Sequence, residues 1–403
     1  MNRFSKKLIP LLLVVLLFAI SGCATMNKKD KWKSLFDGKS LKGWKQLTGH
    51  ANYYVEDDCI IGSSVPEKVN SFLCTEKHYG DFILELELKV DQGLNSGVQI
   101  RSNQFKDYKN GLVHGYQVEI DPSERAYSGG IYDEARRGWL NDLKDNEEAR
   151  KAFINGQWNK YRVECIGDSI KTWVNGVPAA DLVDSMTLSG FIGLQVHATQ
   201  TKEPLRVRWR NIRIQDLGRH VWKPLFDGKN LKGWHAIGGG QWKVVDGVID
   251  GSCSKSEEYH GLLVSDCNYS DFTIRLNFKA VRGNSGFYFR SDEVPEDKVG
   301  VHGFQAEIDD NQDVGGLYET MGRGWVVKPS AEEVAKWFKP QEWNQMTVSA
   351  HGGRIVVHVN DQKTAELKED AGRPQGHLAF QLHGGQDAHV MLKDVEILTP
   401  AEL

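Results

Sequence analysis

"HGYQVEID", His114 to Asp121, and "HGFQAEID", His302 to Asp309, are nearly the same line written twice in one chain. Each alternates apolar and polar residues, and side chains two apart on a strand share a face. Tyr116, Val118 and Ile120 therefore point to one side, while Gln117, Glu119 and Asp121 point to the other. A strand with one apolar and one polar row belongs to a sheet buried on a single face, which is the habit of antiparallel sheets.

Working outward, the match extends over the whole body of the chain. "LFDGKSLKGWK" (Leu35 to Lys45) returns as "LFDGKNLKGWH" (Leu225 to His235), and "NSGVQIRS" (Asn95 to Ser102) as "NSGFYFRS" (Asn284 to Ser291). "GGIYDEARRGWL" pairs with "GGLYETMGRGWV", and "GLQVHA" (Gly193 to Ala198) with "AFQLHG" (Ala379 to Gly384). Repeats in this order make a tandem duplication. We expect a first domain over 31–218 and a second over 219–403. Period-two segments punctuated by Gly and Asn-Gly, such as "FILELELKV" and "WVNGVP", predict strands and turns throughout. One short helix is expected per half, capped at Asp145 with Glu148 and at Ser330 with Glu333. The fold class is thus all-β: two tandem jelly-roll β-sandwiches, each with a short helix.

The chain has 403 residues, 40% hydrophobic and 26% charged, with a net charge of −4. Nothing in that balance suggests a nucleic-acid footprint. Arg3, Lys6 and Lys7 precede the apolar run "LIPLLLVVLLFAI", too short for a comfortable membrane span and right for a signal peptide. It ends in "ISGC", which resembles the bacterial lipobox, so we expect a leader over 1–22, lipidation at Cys23 and a tether over 23–30. That reading implies a lipid-anchored protein of the bacterial cell envelope. The remaining cysteines, Cys59, Cys74, Cys165, Cys253 and Cys267, are odd in number; Cys59 with Cys74 and Cys253 with Cys267 are candidate local pairs.

Strand parity collects further polar residues. Val98 and Ile100 facing inward leave Gln99 and Arg101 outside, and Leu194 and Val196 leave Gln195 and His197. The second half repeats this with Tyr288 and Arg290; Gln305, Glu307 and Asp309; and Gln381 and His383. A sheet may simply face water, as Arg206, Arg208 and Arg210 suggest elsewhere, but the same row kept in both halves reads as a site. Tyr132 with Trp139, and Tyr318 with Trp325, are placed to stack on a sugar ring or to pack. Glu119, Asp121 and His197 are candidates for a divalent ion, catalytic or structural; no cofactor is certain.

These motifs together resemble the 3-keto-disaccharide hydrolase domain, one copy per half. The family often reads Glu then Gln on the central strand, whereas Gln117 and Glu119 are swapped here. Its "LQDHG" form appears as "LQVHA" and "FQLHG". The resemblance implies a concanavalin A-like sandwich acting on 3-keto-glycosides. A ketone at C3 acidifies the C2 proton, the C1 substituent leaves by elimination, and water adds. That route needs a base, a donor on the enolate oxygen and an acid for the leaving group. Glu119 or His197 would be base or acid, Arg101 would hold the enolate, and Gln117, Gln195 and Asp121 would bind hydroxyls. Glu307, His383, Arg290, Gln305, Gln381 and Asp309 would do the same in the second half. The alternative is a tethered lectin-like protein without turnover. Either way the partner is a carbohydrate, with the membrane reached through lipid and no obligate protein partner implied.

Overall fold

The computed structural model describes residues 32–402. The leader, Cys23 and the tether lie outside the described residues. Within them, no helix is long and apolar enough to cross a membrane.

Each half is a sandwich of a seven-stranded and an eight-stranded sheet, and every strand pairing is antiparallel. In the first half the seven-stranded sheet runs from the hairpin Ile131–Glu134 and Gly138–Asn141 through Val113–Ile120, Ser96–Gln104 and Phe191–Val196 to Ser71–Thr75 and Trp44–Thr48. Its partner is centred on Asp81–Val90 and Arg206–Gly218. The second half repeats the arrangement, beginning at His220–Pro224. The protein is all-β with two tandem jelly-roll-type sandwiches.

Alternation explains the core. Val98, Ile100, Tyr116, Val118, Ile120, Leu194 and Val196 face inward against Phe82, Leu84, Leu86 and Leu88 from the opposite sheet. Trp44 and Trp234 are buried anchors whose indole N–H groups donate to Leu35 O at 2.7 Å and Leu225 O at 3.0 Å, closing the repeated "LFDG…GW" loop.

The helices are Glu147–Ala152 and Ala331–Trp337. Ser330 and Glu333 form the expected capping box. In the first half the cap falls one residue later than expected, on Asn146, which accepts from Ala149 N at 3.1 Å. The cysteine pairing is also corrected: all five cysteines among the described residues are free. Cys59 and Cys253 lie on eight-stranded sheets, Cys74 and Cys267 on seven-stranded ones. Packed sheets stand about 10 Å apart, beyond disulfide reach.

The two sandwiches touch through polar groups, of which Asp168 is buried and Asp181 exposed. Asp168 accepts hydroxyl hydrogen bonds from Thr273 and Ser349, and Arg354 pairs with Asp181 at 2.7 Å.

Candidate functional site

The polar face of the first seven-stranded sheet forms a cleft of about 460 Å³. Gln117 and Glu119 lie on its floor, Tyr132, Trp139 and Arg125 on one wall, and Asn70, Glu134 and His197 beyond them. A volume of this size falls within the usual range for small-molecule sites.

The floor is a directed row of side chains. Ser102 donates to Gln99 at 2.6 Å, Gln99 to Gln117 at 2.7 Å, and Gln117 to Glu119 at 3.0 Å. Asn95 donates to the other Glu119 oxygen at 2.6 Å, and the Arg125 guanidinium stands 3.9 Å away. The repeated "NSG" explains the packing. A Cβ on Gly97 would sit 2.3 Å from the Gln117 side chain, and one on Gly286 would sit 2.2 Å from Gln305. Glycine is therefore what lets the glutamine lie across the neighbouring strand.

Burial pushes the Glu119 carboxyl above its ordinary range, against the opposing donors Asn95 and Gln117. Glu307 is held alike by Asn284 and by Gln305, the latter at 3.0 Å, and burial pushes it up to about 8. The rim carries a second carboxylate. Glu134 is raised by burial and accepts from Asn70 at 3.0 Å. His197 is exposed, with Nδ1 placed 2.8 Å from Ala198 O. That contact puts the hydrogen of a neutral ring on Nδ1 and leaves Nε2 with its lone pair. His383 makes the same contact with Gly384 O at 2.7 Å.

The aromatic corner is common to both halves. Tyr132 and Trp139 meet edge to face at 5.3 Å, as do Tyr318 and Trp325. Arg137 fixes the first hairpin by pairing with Asp133 at 2.7 Å and Asp184 at 2.9 Å. Arg323 does so with Glu319 and, at 3.0 Å, with Asp370.

Several expectations are corrected. Arg101 and Arg290 do not reach the polar face of either half. Each sits at a break in strand register with φ +47, so the alternation that should have turned it outward is lost. Arg101 is fully buried, donating to Gly80 O and Gly167 O at 2.7 Å and pairing with Asp81 at 3.1 Å. Arg290 is likewise tied to Ser270 O, Gly352 O and Asp271. Both are clasps between the sheets of a sandwich. Asp121 and Asp309 serve turns: Asp121 accepts from Ser123, Arg125 and Tyr127 N, and Asp309 from Asn311 N and Gln312 N. With Asp121 so engaged, Glu119, Asp121 and His197 do not come together as a ligand set; among the described residues no group of three such side chains is arranged to hold a metal.

Gln99, Gln195, Tyr288 and Gln381 are buried beneath the surface and support the floor instead of lining it. Gln381 donates to Tyr288 at 3.2 Å, whereas neither polar atom of Gln195 finds a protein partner.

The cleft also holds residues that sequence reasoning missed. Asn95 was within reach, since "NSG" occurs twice. Asn70, Arg125 and Glu134 were not, because the second half has different residues at those places and the repeat gave no signal.

Among solved structures, the chain is similar to a candidate glycosyl hydrolase from Parabacteroides distasonis, with 25% identity and a TM-score of 0.33 over 46% of this chain and 100% of that one. It is also similar to the carbohydrate-binding module CBM66 from Bacillus subtilis, with 18% identity and a TM-score of 0.32 over 41% and 95%. A third likeness is to a Bacillus subtilis protein of unknown function with a galectin-like fold, with 13% identity and a TM-score of 0.35 over 45% and 96%. No curated protein matches the chain. The family model of the 3-keto-alpha-glucoside-1,2-lyase-like domain matches twice, over residues 31–215 and 221–398. The chain therefore belongs to the 3-keto-alpha-glucoside-1,2-lyase-like domain family and carries two tandem copies of that domain.

Proposed function

We propose that the protein cleaves 3-keto-glycosides, and that the first-half cleft does so by elimination followed by hydration. The observation that carries this reading is the buried Glu119, fed by two amide donors and set 3.9 Å from a guanidinium. Burial raises this carboxylate's affinity for protons, which makes it a stronger base than an exposed glutamate.

The sugar stacks on the Tyr132–Trp139 corner. Glu119 takes the C2 proton, and the electron pair of that C–H bond passes to the C3 ketone oxygen as an enolate. Arg125 replaces Arg101 as the cation facing that oxygen. The enolate then collapses, the C1–C2 double bond forms, and the C1–O bond breaks. The departing oxygen takes a proton from Glu134 at the rim. Water adds its oxygen at C1 and returns one of its protons to Glu134, and the proton held by Glu119 returns to C2. The balance is one glycosidic bond and one water consumed.

Supporting this reading are family membership and a carbohydrate-sized cleft that gathers acid, base and cation. The leader and Cys23 would place the reaction at the cell envelope on a lipid tether. Incubating the full chain with p-nitrophenyl 3-keto-α-glucoside tests it. Nitrophenol release that is lost in Glu119→Gln is expected. Absence of release from the wild-type protein would remove the catalytic reading.

A further inference from the structure

We propose that turnover is confined to the first half, and that the polar face of the second half's seven-stranded sheet is a separate, non-catalytic binding site for the same neutral sugar class. This rests on the catalytic reading above.

The two polar faces share a frame and differ in charge. Both keep the amide-held glutamate and the edge-to-face aromatic corner, which recognise hydroxyl groups and an apolar ring face. The place of Glu134 is taken by Thr320, whose hydroxyl is shared with Tyr288 at 2.9 Å. Arg125 has no counterpart, because the turn from Asp309 to Gly315 is two residues shorter than that from Asp121 to Gly129. The nearest cation, Lys328, stands 4.8 Å from the Trp325 ring and pairs with Asp313 at 3.5 Å.

The rim differs as well. Asn70 is replaced by His260, which keeps one of its two tasks. Its Nδ1 accepts from Gly384 N at 2.8 Å, as Asn70 accepts from Ala198 N at 2.9 Å. The second task, holding a carboxylate, is gone, and the ring instead lies 4.3 Å from that of His383. The second polar face therefore lacks counterparts of Arg125 and Glu134: Lys328 is paired with Asp313, and Asp309, which shares the Asn284 amide with Glu307, caps its own turn, while the amide-held glutamate and the aromatic corner remain.

The test uses the full chain and p-nitrophenyl 3-keto-α-glucoside. Glu119→Gln is expected to lower kcat by roughly 100-fold or more, since nothing in the second half substitutes for the first. Calorimetric titration of that variant should count one more binding site per chain than the same variant also carrying Trp325→Ala. Arg125→Met, at a half-exposed side chain, makes the same kinetic comparison if Glu119→Gln does not fold. A variant that keeps about half the wild-type kcat would show that the second half turns over, and would overturn the proposal. So would a site count that Trp325→Ala leaves unchanged. Neither result touches the catalytic reading, which fails only if the wild-type chain releases no nitrophenol.

Discussion

Asn70 reaches over the first cleft to donate to Glu134 at 3.0 Å, while its own oxygen accepts from Ala198 N at 2.9 Å. One amide thus ties the aromatic hairpin to the strand end that carries His197. Removing a partner of a largely buried carboxyl costs about 1–3 kcal/mol. Asn70→Ala is therefore expected to lower kcat/KM by about 10-fold or more, since about 1.4 kcal/mol is a factor of ten. Steady-state kinetics on the keto-glucoside checks this. Unchanged kcat/KM would remove the Asn70–Glu134 link from the chemistry.

Gly97 makes a second prediction. Its missing Cβ is the space in which Gln117 lies, at 2.3 Å from where that carbon would be. Gly97→Ala should displace Gln117 from Glu119 and break the row that begins at Ser102. Overpacking of this kind costs about 1–3 kcal/mol of stability. The expected result is a lowered Tm together with a fall in kcat that exceeds the loss in Gly97→Ser only if the amide recovers a hydrogen bond to serine. Equal kcat in wild type and Gly97→Ala would show that the Gln117 contact is dispensable.

The two arginines of the first half separate frame from function. Arg101 is fully buried against Asp81, which also lies 2.6 Å from His220 Nδ1. Breaking a buried pair by removing one partner costs about 3–5 kcal/mol. Arg101→Met should therefore lower Tm strongly, by about 10 °C on the scale typical of domains this size. Arg125→Met should cost far less stability and much more kcat. Thermal denaturation and kinetics on both variants distinguish them, and the opposite pattern would restore Arg101 to the site.

The same pair shows how far the sequence could be read. Period-two alternation identified the strands, the inward rows and the shared face of Gln117 and Glu119, because hydrophobic burial on one face enforces parity. It failed at Arg101 and Arg290 because a bulge inserts a residue that the alternation cannot reveal. The duplication carried the same bulge in both halves, so comparing the halves reinforced the error. A repeated residue marks whatever both copies need, and both need a clasp between sheets. Glu134 and Arg125 are invisible to that comparison for the converse reason: Thr320 and a shorter turn stand in their place. Asp121 and Asp309 were legible as polar and outward, but not as turn caps, since their partners come from loops.

Glu307 gives a prediction about pH. Its carboxyl is pushed by burial from the ordinary 4.5 up to about 8, with Asn284 and Lys328 opposing and the Asp309 and Asp313 carboxylates adding to the rise. Between those two values the folded chain holds a proton that the unfolded chain has released. Stability must then fall as pH rises through that window, and the contribution is fully present only below the unfolded value. Glu119 and Glu134 are shifted in the same direction, while His260, lowered to about 4 by burial beside His383, acts oppositely on the acid side. Comparing Glu307→Gln with wild type cancels those shared contributions. The amide cannot ionise, so the variant should lose less Tm than wild type between pH 5 and pH 8, and its advantage should grow steadily across that range. Differential scanning calorimetry at several pH values measures it. A Tm difference that stays constant with pH would mean that Glu307 is already ionised in the folded chain, and that its amide donors outweigh its burial.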